Sequence, residues 1–342
     1  MYTVQLNIFS HSPHTHPIIA GFLYLADKNT IDLKINTCFE KLSTYPHSRM
    51  VEAIINEKKI AFDMLDGYNW DLQAVRDYLQ NCDLYVKRSF SSTKNSVFSE
   101  TERRKIVPLG CSFHVAHPEF VNIFPQSTKE TIKKYFGPLL GYYPDIYYTP
   151  NRFETIPQYK EGKLDIIFYT RLWGSADCPN HKTDELEYIN SMRIEIIRNL
   201  YKRHPDHVYA GLSQNKLAEQ LAPDLILPKT KTSRANYLKR MKKADICIGS
   251  MGLHQSVGWK TGEYIAAAKA IVNETLHYDM IGDFLPGQNF LEFNSLESCL
   301  ACVETLIGNP QYVYDMKLKN RDYYLNYLRP DMQVLRAIEH IV

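Results

Sequence analysis

The sequence ADICIGSMGLHQSVGWKTGEYIAAAKAIV, residues 244–272, decides the fold of this chain. It begins with a run typical of a buried strand, 245–248, and continues through a glycine-containing loop, 249–258. A helix of small residues follows at 261–269, and a second apolar strand at 271–273. Strand, loop, helix and strand in this order form the repeating unit of a doubly wound parallel sheet. We therefore predict an α/β fold.

Strand and helix patterns alternate on both sides of this stretch, in two series. The first series has predicted strands at 2–9, 31–35, 59–64, 84–86 and 106–108, with helices at 18–26 and 71–80. The second has strands at 164–169 and 207–210 and helices at 184–203, 233–243, 296–307 and 310–329. The proline-containing stretch 137–163 separates the two series and is typical of a linker.

Two Rossmann-like domains are therefore predicted, each built on its own sheet. The first domain occupies residues 1–150 and the second residues 151–320, and a C-terminal helix at 321–342 can return to the first domain. A length of 342 residues also favours two domains over one.

Composition excludes several classes of protein. The formal charge of +2 is too balanced for nucleic acid to be the main partner. The first residues lack the unbroken apolar run of a signal peptide, and no stretch is apolar for the length of a membrane span. Seven scattered cysteines favour a reducing compartment over a disulfide framework. We expect a cytoplasmic protein.

Sequence motifs narrow the chemistry further. The chain contains no G-x-G spacing, no P-loop, no G-x-S-x-G and no H-E-x-x-H. Dehydrogenases, P-loop enzymes, serine hydrolases and zinc proteases are therefore disfavoured. Two doubly wound domains without these fingerprints leave nucleotide-sugar chemistry high among the alternatives.

Histidines and cysteines raise the question of a metal. His11, His14 and His16 follow the first strand, and Cys299 and Cys302 form a C-x-x-C inside an apolar helical run. No second pair stands at zinc-finger spacing, so we expect no metal, and we interpret the cysteines as small core residues. The histidine loop lies where doubly wound sheets bind ligands, which makes it a candidate for function.

Two interpretations of residues 249–263 remain open from physical chemistry alone. The loop delivers backbone N–H groups to a helix N-terminus, which suits a phosphate, and Gly258 lets a ligand approach the backbone. Glu263, taken to lie in the first helical turn, can accept hydrogen bonds from two ribose hydroxyls. Alternatively, Glu263 only favours the helix N-terminus, and the alanines at 266–268 only allow close packing.

The same stretch resembles the donor-site motif of family 4 glycosyltransferases, a GT-B family. Gly258 matches the second glycine of its Glu-Gly-Phe-Gly, Glu263 matches its second glutamate, and residues 269–272 match its Lys-Pro-Val-Val. The first glutamate of the family, which contacts the donor sugar, falls on Gln255. Gln255 can hydrogen-bond a sugar hydroxyl, but it brings no negative charge.

A second match lies at the end of the strand at 164–169. Thr170-Arg171-Leu172 is similar to the Gly-Arg-Leu of the family, whose arginine binds the diphosphate. The lysine that accompanies it falls on Lys182 or, alternatively, on Lys260 beside the phosphate helix. Residues 287–293 resemble a further strand motif, so the likeness covers roughly residues 160–315.

The resemblance implies a GT-B enzyme with its two domains facing across a cleft. It would transfer a sugar from a nucleoside-diphosphate sugar to a hydroxyl of a glycan or lipid-linked acceptor, with retention and without a metal ion or other cofactor. Arg171, with Lys182 or Lys260, would stabilise the leaving diphosphate, and Gln255 would contact the sugar. The phosphate and sugar would be bound by the loop before the helix, through His254, Ser256, Val257 and Gly258. Glu263 would bind the ribose. His11, His14 and His16 would face the acceptor.

Other functions remain open. A non-catalytic nucleotide-sugar-binding protein, or a partner subunit of another transferase, would keep Glu263 and lose groups on the acceptor side. A sugar-nucleotide 2-epimerase or a phosphorylase shares the architecture. Basic and aromatic residues mix at 129–143, which leaves open a peripheral contact with an anionic membrane, as in bacterial surface-polysaccharide synthesis.

Overall fold

The computed structural model describes residues 1–39, 47–68, 71–124, 145–175, 178 and 182–341. The chain divides into two compact units. The first contains residues 1–152, 277–283 and 325–342, and the second residues 153–276 and 284–324. Each unit carries its own sheet flanked by helices. The predicted α/β class with two Rossmann-like units is confirmed.

The first unit is built on a six-stranded sheet of order β2-β1-β3-β4-β5-β6. Its strands are β1 Tyr2–Ile8, β2 Ile31–Thr37, β3 Met50–Ile55, β4 Lys58–Asp63, β5 Leu84–Lys87 and β6 Ile106–Pro108. Its helices are α1 His16–Asp27, α2 Leu72–Gln80, α3 Glu100–Lys105 and α4 Phe120–Ile123.

The first sheet is mixed, because β3, a strand that the sequence analysis did not identify, runs antiparallel to both of its neighbours. Strands β3 and β4 form a hairpin whose turn residues, Asn56 and Glu57, both have positive φ, at 48° and 69°. A two-residue turn with positive φ at both positions matches the twist of the flanking strands. The other five strands run in one direction, so β3 is an insertion at the point where the strand order reverses.

The second unit is built on a parallel five-stranded sheet of order β11-β10-β9-β7-β8. Its strands are β7 Ile166–Thr170, β8 Val208–Leu212, β9 Ile246–Gly249, β10 Ala270–Glu274 and β11 Leu291–Phe293. Its helices are α5 Thr183–Arg203, α6 Lys216–Leu221, α7 Lys229–Thr232, α8 Arg234–Lys243, α9 Trp259–Ala266, α10 Leu296–Ile307 and α11 Pro310–Tyr323. A last helix, α12, spans Pro330–Ile341.

The order of the second sheet reverses between β7 and β9. Chains leaving these two strands pass to opposite sides, and the gap at their carboxyl ends is the usual ligand site of a doubly wound sheet. The loops that follow β7 and β9 begin at Arg171 and Ser250. They carry the residues that the sequence singled out for the nucleotide sugar.

Two segments from the C-terminal half of the chain belong to the first unit. Helix α12 places Val334, Ala337 and Ile338 in the same core as α1. The helices pack so closely that a Cβ added to Gly21 would lie 2.3 Å from the Pro330 carbonyl oxygen.

The second of these segments, 277–283, was predicted to lie in the second domain, and the structure places it in the first. The Asp279 N–H donates to the Phe90 carbonyl at 2.8 Å, and the Asp279 carboxylate accepts from the Ser92 N–H at 2.9 Å. The Tyr278 ring stacks on Tyr68. These contacts are between residues far apart in the sequence, which is why no local pattern revealed them.

The cysteines of the C-x-x-C are free thiols on α10. Cys299 is fully buried in the core of the second unit, and Cys302 packs against that core. No helix of the described residues is both long and apolar enough to cross a membrane. The predicted membrane patch at 129–143 lies outside the described residues.

Candidate functional site

A small cleft lies at the carboxyl ends of β9 and β10. Four predicted donor-site residues line it: Gln255, Ser256, Val257 and Gly258. The remaining lining comes from the two strand ends and the residues after them: Ser250, Met251, Asn273, Glu274, Thr275 and Leu276. The loop and both strands thus meet at one small polar site.

Helix α9 points its N-terminus at this cleft. Its first residue is Trp259, and Gly258 precedes it in an extended conformation, with φ −64° and ψ 146°. No side chain of the described residues caps it. A Cβ added to Gly258 would meet only the Ser250 carbonyl oxygen, at 3.4 Å, so packing alone does not require glycine here. The helix end provides about half a positive charge, which suits an anionic ligand.

The loop before the helix is strained. His254 and Gln255 are consecutive residues other than glycine with positive φ, at 57° and 59°. The Gln255 N–H donates to the Glu185 carboxylate at 3.3 Å. Such conformations cost about 1–3 kcal/mol each and cluster at functional sites. Gln255 lines the cleft, whereas His254 lies beside it.

Glu263 is placed differently from the prediction. Because α9 begins at Trp259, Glu263 is its fifth residue and lies beyond the first turn. Its carboxylate is 1% exposed and accepts from the Arg234 guanidinium at 2.6 Å and from the Tyr237 hydroxyl at 2.8 Å. Burial raises the pKa of the Tyr237 hydroxyl well above its usual value, and the Glu263 charge raises it further, so Tyr237 remains a donor. Glu263 holds two side chains of α8 in place.

The predicted cations occupy three different surroundings. The Lys260 ammonium lies 4.0 Å from the centre of the Tyr237 ring, and burial lowers its pKa to about 8. The Arg171 guanidinium stacks on Trp173, 3.5 Å from the ring centre. Lys182 is exposed at the start of α5 and is not among the residues that line the cleft.

A buried arginine that the sequence analysis did not single out joins the two loops at the reversal point. Arg193 of α5 is 5% exposed. Its guanidinium donates to the Arg171 carbonyl at 2.6 Å, to the Ser250 hydroxyl at 3.1 Å and to the Met251 carbonyl at 2.9 Å. One side chain therefore fixes the loop after β7 and the loop after β9.

Two further polar side chains complete this arrangement. Asn190, one turn before Arg193, accepts from the Trp173 N–H at 2.9 Å and donates to the Trp173 carbonyl at 2.8 Å. Glu274, at the end of β10, accepts from the Met251 N–H at 2.7 Å. The backbone N–H and the backbone carbonyl of Met251 are therefore both held, and the loops around the cleft are preorganised.

The three predicted acceptor-side histidines gather in the first unit. The His16 Nδ1 lies 3.2 Å from the His114 Nε2, and the His11 ring stacks on Phe124 with centroids 4.2 Å apart. Burial, assisted by the neighbouring histidines, lowers the pKa of His16 to about 2, and burial lowers that of His14 to about 4. These two rings are therefore neutral at physiological pH.

A buried ion pair lies at the same edge of the first sheet. Asp63, at the end of β4, is fully buried and lies 3.0 Å from the Lys87 ammonium, which is also fully buried. The Tyr85 hydroxyl donates to the same carboxylate at 2.8 Å. Burial works against the charged form of Asp63, but Lys87 and a hydrogen bond from His47 hold its pKa below its usual value. The pair fixes β4 to β5 beside the histidines.

Some of the missed residues left a signal in the sequence. Arg193 stands in register with the apolar positions Ile189, Ile196 and Leu200 of α5, so helical periodicity alone assigns it to the buried face. Glu274 ends a buried strand, where ligands of parallel sheets bind. Arg234 has no comparable signal, because its partner Glu263 lies on a different helix.

Neither protein-family profiles nor curated proteins match this sequence. Solved structures with a distant likeness include a glycosyltransferase from Rickettsia africae, which is 11% identical with a TM-score of 0.48 over 97% of this chain and 82% of that one. Alr3699/HepE of Anabaena, solved in complex with UDP, is 11% identical with a TM-score of 0.43, over 80% and 68% of the two chains. MnaA of S. aureus, solved with UDP, is 10% identical with a TM-score of 0.44, over 100% and 96%. At this level of identity the likeness assigns no activity.

Proposed function

We propose that the chain is a GT-B-type glycosyltransferase that moves a sugar from a nucleoside-diphosphate sugar to a hydroxyl of a glycan or lipid-linked acceptor. The cleft at the N-terminus of α9 carries the proposal. It is lined by residues 255–258, the stretch that resembles a donor-sugar motif, and it lies at the carboxyl edge of a parallel sheet. Nucleotides bind at this edge in doubly wound sheets.

The diphosphate is assigned to the positive end of α9. Lys260 lies in the first turn of that helix. Its pKa, lowered to about 8, is still above 7, so the side chain is cationic at neutral pH. Arg171 adds a second cation at the end of β7. Glu263 is nearly inaccessible and holds Arg234 and Tyr237 through hydrogen bonds. We therefore propose that Glu263 supports nucleotide binding indirectly, by positioning these two side chains.

The reaction breaks the bond between the anomeric carbon and the diphosphate oxygen and forms a bond from that carbon to the acceptor oxygen. The acceptor proton leaves with the diphosphate. Cationic side chains and the helix end stabilise the departing charge, which is the role that a metal ion takes in other enzymes. We propose a retaining reaction without a metal ion.

A panel of UDP-, GDP- and dTDP-sugars tests this function through release of the nucleoside diphosphate with and without EDTA. Hydrolysis or transfer that survives the chelator is the expected result. Release that stops with EDTA and returns with Mn²⁺ would contradict metal-independent transfer, and release from none of these donors would contradict the proposed transferase.

Gln255 favours a second candidate, a nucleotide-sugar-binding protein without catalysis. The position that carries a glutamate in the resembling family is an uncharged residue in this cleft. Calorimetry followed by chromatography of the donor distinguishes the candidates, because a non-catalytic protein would bind a nucleotide sugar and leave it intact after long incubation with acceptors.

A further inference from the structure

Glu274 is the only ionisable side chain among the described residues that line the donor cleft. The other lining side chains are neutral, and the cations assigned to the diphosphate stand outside this lining. Glu274, which also interacts with the charge of the buried Arg193 guanidinium, is therefore the one charged group in this lining.

The carboxylate is held in one orientation. Glu274 is 4% exposed, and its Oε2 accepts from the Met251 N–H at 2.7 Å. The Met251 carbonyl is in turn held by Arg193. Burial raises the pKa of the Tyr188 hydroxyl, and the charge of Glu274 and a hydrogen bond to it raise that pKa further, so the hydroxyl faces Glu274 as a neutral donor.

The neighbouring amide has less capacity left for a ligand. The Asn273 Oδ1 accepts from the Thr261 hydroxyl at 2.8 Å, and its Nδ2 donates to the Glu274 carbonyl at 2.6 Å. A carboxylate has about four lone-pair sites, of which the Met251 N–H takes one and the Tyr188 hydroxyl another. Glu274 thus keeps acceptor capacity inside the cleft.

The two ends of a nucleotide sugar differ in what they present to such a group. Phosphate oxygens only accept hydrogen bonds and repel a carboxylate, whereas sugar hydroxyls donate to it. The phosphates therefore belong at the helix end and the sugar at Glu274.

We propose that Glu274 selects the sugar of the donor, accepting hydrogen bonds from the hydroxyls of a neutral sugar and rejecting a uronic acid. This inference rests on the proposed function. Gln255 is uncharged, so it cannot supply a negative charge next to the donor sugar. In this proposal the Glu274 carboxylate, at the end of β10, supplies that charge.

Binding calorimetry with UDP, UDP-glucose and UDP-glucuronate tests the proposal, or the matching guanosine series if the panel selects GDP. The wild-type protein should bind the neutral sugar nucleotide more tightly than the uronate by at least about tenfold, since like charges are juxtaposed only in the uronate complex. In Glu274→Gln this ratio should fall by about fivefold or more, while the affinity for UDP changes less than about twofold. The control Glu292→Gln, on the exposed side of β11, should leave all three affinities unchanged.

The two possible failures differ. An unchanged ratio in Glu274→Gln, or equal weakening of all three ligands, overturns the inference and leaves Glu274 as the residue that holds Met251. No nucleotide binding by the wild-type protein overturns the proposed function and the inference with it. If Glu274→Gln does not fold, Glu274→Asp serves instead: it keeps the charge, so the uronate should stay excluded while UDP-glucose weakens.

Discussion

At the scale of single residues, Glu263 shows which features of a site residue a sequence motif can predict and which it cannot. The motif identifies a glutamate on the helix after β9, and that glutamate is buried behind the residues that line the cleft rather than among them. Its partners could not be predicted, since Arg234 and Tyr237 lie on another helix and no spacing rule links them to it. The carboxylate is buried because those partners satisfy both of its oxygens.

Glu263→Gln should weaken binding of a nucleoside diphosphate by about 1–3 kcal/mol, the scale of losing charged hydrogen bonds. Arg234 loses its counter-charge, and the Tyr237 hydroxyl loses a charged acceptor. Titration with UDP and GDP measures the change, and circular dichroism checks the fold. Glu297→Gln, at an exposed position on α10, is the control. Unchanged affinity in a folded Glu263→Gln protein would leave Glu263 with a structural role only.

At the scale of elements, helix α5 determines the shape of the site from outside it. Its apolar face packs on the sheet, as the periodicity predicts, while Asn190 and Arg193 on the buried side bind the loops after β7 and β9. The helix bounds were predicted to within one residue, from 184–203 to the observed Thr183–Arg203. The contacts of this helix with the two loops were not predictable, because the three acceptors that bind the Arg193 guanidinium come from two segments distant in the sequence.

Arg193→Met should lower the free energy of unfolding by about 2–4 kcal/mol, because three buried acceptors lose their donor at once. Hydrogen exchange should also increase in the loops at 171–175 and 250–251. Arg198→Met is the matched control, since that arginine lies on the same helix, is 45% exposed and, within the described part of the chain, forms an ion pair with Asp224 alone. Urea unfolding compares the two variants. An equal loss of unfolding free energy in both would show that the buried hydrogen bonds of Arg193 do not stabilise the protein beyond the loss of an arginine side chain.

At the scale of the whole molecule, the two units were predictable as separate α/β series, because each repeats the strand and helix pattern. The inserted strand β3 was not, since the Asn-Glu turn that forms its hairpin carries no strong turn signature. The return of 277–283 to the first unit depends on long-range contacts and was likewise beyond reach.

The buried histidines make the stability of the first unit depend on pH. The folded pKa values of His16 and His14, about 2 and about 4, lie below their unfolded value of 6.5, so below pH 6.5 the unfolded chain binds protons that the folded unit refuses. The unit should lose about 3–4 kcal/mol between pH 7 and pH 5. Asp63 adds to this only in stronger acid, because its pKa is lowered from 3.8.

Chemical unfolding at several pH values measures this dependence. His16→Phe keeps an aromatic ring without a titrating group and should flatten the slope, whereas His340→Asn, at an exposed position in the same unit, should not. A slope that is identical in both variants would contradict the assignment to His16.

The path of the chain between the units has a consequence for synthesis. Residues 325–342, which complete the core of the first unit, emerge from the ribosome after every residue of the second unit has been made. During translation the first unit cannot complete its core, and part of α1 stays uncovered, until α12 has been made. The second unit can fold before that point. Folding order is thus inverted with respect to reading order, and residues 1–152 made alone would expose the apolar surface that α12 covers.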